Sequence, residues 1–137
     1  MEAFFGSEQL IVKIGGSCFG QGEDYPASAK ALGQLQRDSG ARLLLVVSAA
    51  KGKTDQLIAE AKEDFPNDVW AQAGAVSKGE DMSAEQLLLA CRATGVAAQL
   101  ISAADIDLLG WGGEDPFNGH LLGANGDKLK RVTQKAL

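Results

Sequence analysis

The chain has 137 residues, 45% of them hydrophobic, and a formal net charge of −5. That is enough for one domain with a proper core, too little for two ordinary ones, and too apolar for a disordered chain. The acidic balance argues against a general nucleic-acid binder, although Lys128, Lys130, Arg131 and Lys135 make the last ten residues locally basic, as a solvated helix face would be.

Two cysteines, Cys18 and Cys91, with no C-x-x-C spacing, and one histidine, His120, suggest neither a disulfide framework nor a zinc site. A reduced, cytoplasmic protein is expected. No apolar run approaches the roughly eighteen residues of a membrane span, and the start Met1-Glu2-Ala3-Phe4-Phe5 lacks a signal pattern.

In chain order, the apolar run Leu10-Ile11-Val12 predicts a strand over Leu10–Ile14 that opens into the glycine turn Lys13-Ile14-Gly15-Gly16-Ser17. Pro26 sits near the start of a helix that runs to about Asp38, turns Leu32 and Leu35 inward and stops before Gly40. Arg42–Val47 is a second strand candidate and the clearest, and the unbroken apolar character of Leu43-Leu44-Leu45-Val46-Val47 predicts burial on both faces, as in the centre of a parallel sheet. A second helix begins near Thr54 or Asp55, with Leu57, Ile58 and Ala61 inward, and Pro66 prevents its continuation. Trp70 is expected to pack against a helix.

Ser83-Ala84-Glu85-Gln86 reads as a capping box opening a helix to Gly95, with Cys91 in the core. Ala97–Ser102 is a third strand candidate and His120–Gly123 a fourth, inside a loop-rich stretch from Gly110 to Gly126. There Trp111, Gly112 and Gly113 are candidates for a mobile flap. A helix over Asp127–Leu137 closes the chain. Strand-length runs alternating with helical periods predict an α/β fold, a parallel sheet covered by helices.

In such a sheet ligands collect beyond the carboxyl ends of the strands. Two loops qualify, Lys13 to Ser17 and Ser48 to Thr54. Glycines let backbone approach an anion closely and take positive φ cheaply, while a lysine neutralises its charge. In isolation the first motif is equally an ordinary turn. Gly52-Lys53-Thr54 resembles the tail of a Walker A loop, but the glycine its head requires is replaced by Val47, whose branched side chain resists the needed backbone shape. His120 has no neighbouring ligand residue. Asp105 and Asp107 fit either a solvated loop or an approach to a metal or substrate, with the loop favoured.

Three segments taken together, Lys13-Ile14-Gly15-Gly16-Ser17, Val47-Ser48-Ala49-Ala50-Lys51-Gly52-Lys53-Thr54-Asp55-Gln56-Leu57 and Ser77-Lys78-Gly79-Glu80-Asp81-Met82-Ser83, resemble the amino acid kinase family, and aspartokinases within it. Ile14, Cys18 and Lys51 depart from the family pattern. The resemblance implies a three-layer αβα sandwich with a mainly parallel sheet, in truncated form. It also implies phosphoryl transfer from Mg-ATP to the carboxylate of an amino acid such as aspartate. On that footing Lys13 is the catalytic candidate, set against the transferring phosphate, and Gly15, Gly16 and Ser17 are phosphate-binding. Ser48 contacts the amino acid and Glu80 holds its ammonium group. Ser48 as a turn cap and Glu80 as a solvated acid are the structural alternatives; Lys51 and Lys53 read as surface lysines.

The resemblance covers the substrate-side, N-terminal part of such a domain, residues 1–137 forming a single unit. The nucleotide half and the regulatory domains of aspartokinases have no counterpart in these residues. Alone, the chain is expected to be inactive, since charge around the phosphates is incompletely neutralised. Completion by a homo-oligomer or a complementary subunit is one expectation. A non-catalytic anion- or amino-acid-binding module and a structural assembly subunit are the others. Unpaired strand edges favour association in each case.

Overall fold

Two parallel strands organise the first half of the molecule. The computed structural model describes residues 9–20, 22–111, 114–118 and 120–135. In it β1 (Gln9–Ile14) pairs with β2 (Arg42–Val47), Gln9 opposite Arg42 and Ile14 opposite Val47. The crossover between them is α1 (Asp24–Ser39), as parallel strands require. It is followed by α2 (Lys53–Asp64) and the 25-residue α3 (Val69–Ala93). An antiparallel pair, β3 (Leu109–Trp111) and β4 (His120–Gly123), precedes α4 (Gly126–Lys135). This is the mixed α/β layout with a parallel sheet that the alternation predicts.

Strand alternation decides which face is buried. Val12 and Ile14 share a face with Leu43, Leu45 and Val47, and this face meets Ala29 and Leu32 of α1 and Leu87, Ala90 and Cys91 of α3. Burial pushes the Cys91 thiol above its usual range, so it behaves as a small apolar residue. Ile11 and Val46 project from the other face and are 72% and 49% exposed.

Several expectations need correction. No new helix opens at Ser83. Helix α3 starts at Asp68, whose carboxylate accepts the amide of Ala71 at 2.9 Å, and runs through the capping-box residues without a break. Ser83 is only 2% exposed, and its hydroxyl shares a 3.1 Å hydrogen bond with that of Tyr25, which offsets the cost of burying it. Ala97–Ser102 forms no strand: among the described residues, no backbone hydrogen bond joins 97–101 to β2. Without that ladder β2 borders β1 alone and is not a central strand. Leu43 and Leu45 instead line a cavity of about 580 Å3 shared with Ala98, Leu100 and Leu129. Trp70, 57% exposed, is not packed away, and Leu35 is exposed where Leu32 is buried.

The C-terminal unit is held by polar contacts. Asn125 donates its backbone amide to Ile106, and its side-chain carbonyl accepts from Lys128 at the start of α4. Asp107 accepts from Lys128 Nζ at 2.7 Å and Asn125 Nδ2 at 3.2 Å. The Lys128 ammonium and the Asn125 amide hold the Asp107 carboxyl below its usual pKa. A lowered folded-state pKa means that this stabilisation is complete above the ordinary carboxylate range and fades as pH falls through the folded value. Acidification below about pH 4 is therefore expected to lower the amide protection factors, exchange being compared with the intrinsic rate at each pH, in the first turn of α4. Asp107→Asn, which keeps an acceptor and tolerates the left-handed φ of 46° at this position, should show a flatter pH dependence. Identical pH profiles for the two proteins would dismiss the ion pair as the acid-sensitive contact.

Gly112 and Gly113 of the expected flap, Met1–Phe5, and Ala136 and Leu137 at the end of the last helix lie outside the described residues, as does the His120 side chain. Among the described residues no helix is long and apolar enough to cross a membrane.

Candidate functional site

Where β1 ends, its last carbonyl is already committed to the second loop. Ile14 accepts the Ser48 amide at 3.2 Å, so the two strands release their chains side by side. Gly15 is extended, with φ −75° and ψ 158°, and Gly16–Cys18 make a single 3-10 turn. Cys18 and Phe19 donate back to the carbonyls of Gly15 and Gly16 at 3.0 and 3.1 Å. Phe19, 1% exposed and stacked on Tyr25 with ring centroids 4.4 Å apart, anchors the turn in the core.

This geometry leaves donors uncommitted. The N–H groups of Gly15, Gly16 and Ser17 make no hydrogen bond to a described residue. Lys13 is exposed, and its ammonium group forms no hydrogen bond or ion pair among the described residues. Exposed backbone donors beside an ammonium group are what an anion requires. The positive φ expected at these glycines is absent; the described glycines with positive φ are Gly40, Gly52 and Gly95. Gly16 is needed for close approach instead, because a Cβ there would run into the carbonyl oxygen of Ala49. At Gly15 the nearest atom to an added Cβ is Ser17 Oγ, 4.0 Å away, so that side of the turn is open.

The second loop closes on the first. Lys51 donates its amide to Gly16 at 2.9 Å, and Lys53 donates to Ala50 at 2.9 Å as α2 begins. Ser48 is half-buried, and its hydroxyl bonds to no described residue, so it is not a turn cap. Lys51 is exposed, and Lys53 Nζ reaches Gln56 at 3.3 Å.

The third segment arrives on α3 and not on a loop preceding it. Gly79 is buried where the helix crosses the second loop; a Cβ there would meet Leu57 Cδ1 at 2.9 Å and Ala49 Cβ at 3.3 Å. Glu80, the next residue, is exposed on the helix surface and borders the cavity beside β2. Ala49 therefore touches the first turn on one side and the third segment on the other. Sequence reasoning singled out Ser48 and Glu80 and overlooked Ala49 and Gly79, whose only signal was small size amid polar neighbours.

The remaining acidic candidates serve local structure. Asp105 accepts from the Ser102 amide at 2.7 Å and hydroxyl at 2.8 Å, bonds that lower its carboxyl pKa. Asp107 is taken up by Lys128 and Asn125.

A model of the amino acid kinase family matches residues 8–136. Among solved structures, aspartate kinase from Synechocystis is similar, with 28% sequence identity and a TM-score of 0.65 over 72% of this chain. The match covers 17% of that protein's chain. No match is found among curated proteins.

Proposed function

Because the chain belongs to the amino acid kinase family, we propose that it is the substrate-side part of an aspartokinase-like domain, acting in the cytoplasm. Completed by the remainder of such a domain, on a partner or elsewhere, it would take part in ATP-dependent phosphorylation of an amino-acid carboxylate. One observation carries the reading: the three separated motifs converge on Ala49, through the Lys51 to Gly16 hydrogen bond and the close passage of Gly79. Segments thirty or more positions apart have no local reason to meet there. An anion- and amino-acid-binding site supplies one.

In this reading Lys13 and the free amides of Gly15, Gly16 and Ser17 hold the transferring phosphate of Mg-ATP. Fixed donors of this kind stabilise charge that spreads over phosphoryl oxygens, without reorganising during reaction. Ser48 offers an uncommitted hydroxyl to the amino acid. Glu80, an exposed carboxylate, pairs with its ammonium group. The exposed Ile11 and Val46 and the flank of β2 that pairs with no strand among the described residues support a need for a second subunit or a further copy, since open apolar sheet surfaces associate.

The test is thermal protection of the full chain by aspartate and by Mg-ATP, alone and after mixing with a protein that carries the rest of an amino acid kinase domain. Ligand at about one hundred times its Kd stabilises by about 2.7 kcal/mol, a rise of several degrees for a chain this size. Glu80→Ala is expected to lose the aspartate effect and keep that of Mg-ATP. Protection without turnover in the mixture would leave a binding module. No protection by either ligand in either setting, with Glu80→Ala indistinguishable from wild type, removes the ligand-based reading and leaves a structural subunit.

A further inference from the structure

Ala49 is held between two glycines from distant parts of the chain. On the β1 side, its carbonyl occupies the space that a Gly16 side chain would need. On the α3 side, Gly79 lets the helix pass so closely that a methyl group there would meet Leu57 Cδ1 at 2.9 Å and Ala49 Cβ at 3.3 Å, with Lys53 Cγ at 3.8 Å. The loop cannot retreat toward β1, because Lys51 is hydrogen-bonded to Gly16 and Ser48 to Ile14. Packing at this point therefore fixes the separation between α3 and the turn. A buried glycine inside a long helix also gives up about 1 kcal/mol of helix propensity relative to alanine, which local structure alone does not explain.

We propose that Gly79 is a positioning residue: by seating α3 directly on Ala49, it sets the distance between Glu80 and the anion-facing turn of Gly15 to Ser17. The inference deepens the function proposed above and rests on Glu80 receiving the amino acid. Gly79 touches no ligand. It acts through Ala49, with Leu57 as the more yielding neighbour, since a leucine methyl can rotate away and a loop tied at Ser48 and Lys51 cannot.

The experiment compares the full chain with Gly79→Ala and with Gly79→Ala combined with Ala49→Gly, measuring the exchange rate of the Lys51 amide and the affinity for aspartate. Overpacking a close contact is expected to speed Lys51 exchange about tenfold and to weaken aspartate binding about tenfold in Gly79→Ala, with helix content unchanged. Ala49→Gly, by removing the opposing methyl, should restore both to within about twofold, the coupling expected of residues in contact. If Gly79→Ala does not fold, Ala49→Ser enlarges the same contact from the loop side and carries the same expectation. A residue governed by helix propensity alone would raise the melting temperature and leave Lys51 exchange and affinity untouched, which overturns the proposal. So would faster Lys51 exchange with unchanged affinity. If wild type binds no aspartate, the site reading fails and the positioning role with it; unchanged Lys51 exchange in Gly79→Ala, by contrast, defeats the packing argument whatever binds.

Discussion

Lys13→Ala is expected to abolish protection by Mg-ATP while leaving protection by aspartate and the ligand-free melting temperature nearly unchanged. The lysine is exposed, opposite Val46 in the strand register, and its ammonium group is bonded to no described residue, so its loss removes no polar side-chain contact among them. Surface substitutions of that kind stay within about 0.5 kcal/mol. Its loss instead withdraws the ammonium group that the proposed function sets against the phosphate at this turn. In a mixture with the rest of an amino acid kinase domain, turnover should fall about a hundred- to a thousandfold, the usual consequence of removing one preorganised charge donor. Glu80→Ala should show the opposite split, losing aspartate and keeping nucleotide. Undiminished protection of Lys13→Ala by Mg-ATP would show that the phosphate does not lie on this turn.

Adjacent glycines should respond in opposite ways. Gly16→Ala is expected to cost about 1–3 kcal/mol, a loss of several degrees in melting temperature, because the added methyl meets a backbone carbonyl that cannot rotate aside. The Lys51 to Gly16 hydrogen bond lies in the same contact and should weaken with it. Gly15→Ala should be tolerated or slightly stabilising, by up to about 1 kcal/mol, since φ of −75° suits alanine and its methyl has open space. If the turn receives phosphate on that open side, Gly15→Ala should nevertheless reduce protection by Mg-ATP. Thermal melts of both variants with and without nucleotide decide the matter. Equal destabilisation of the two would contradict the division of labour between a packing glycine and a ligand-facing one.

Local rules read most elements correctly. Pro26 lies in the first turn of α1 and Gly40 follows its end, and the apolar runs Leu10-Ile11-Val12 and Leu43–Val47 lie in β1 and β2, because each signal acts within a few residues of where it is written. The errors share a different cause. Ser83-Ala84-Glu85-Gln86 satisfies the pattern of a helix start, yet the hydroxyl finds Tyr25, 58 positions away, and α3 runs through. Ala97–Ser102 has strand composition, but a strand exists only by pairing, and no ladder joins it to β2. The uninterrupted hydrophobicity of Leu43–Val47 points to central burial that β2 does not have for the same reason, since hydrophobicity records what a strand can bury and not which neighbours it has.

The site follows the same division. The groups proposed for it, Lys13, the amides of Gly15 to Ser17, Ser48 and Glu80, are legible as motifs because residue type and spacing specify what a group can donate, accept or neutralise. Family membership was legible on the same motifs, and the match over residues 8–136 agrees with it. Only the tertiary structure decided that Gly16 is required for contact with Ala49 and not for positive φ, that Glu80 rides on a continuous helix, and that Gly79 brings this helix onto the loop. Each depends on the distance between segments remote in sequence, and close packing sets such distances through atoms that no local pattern records.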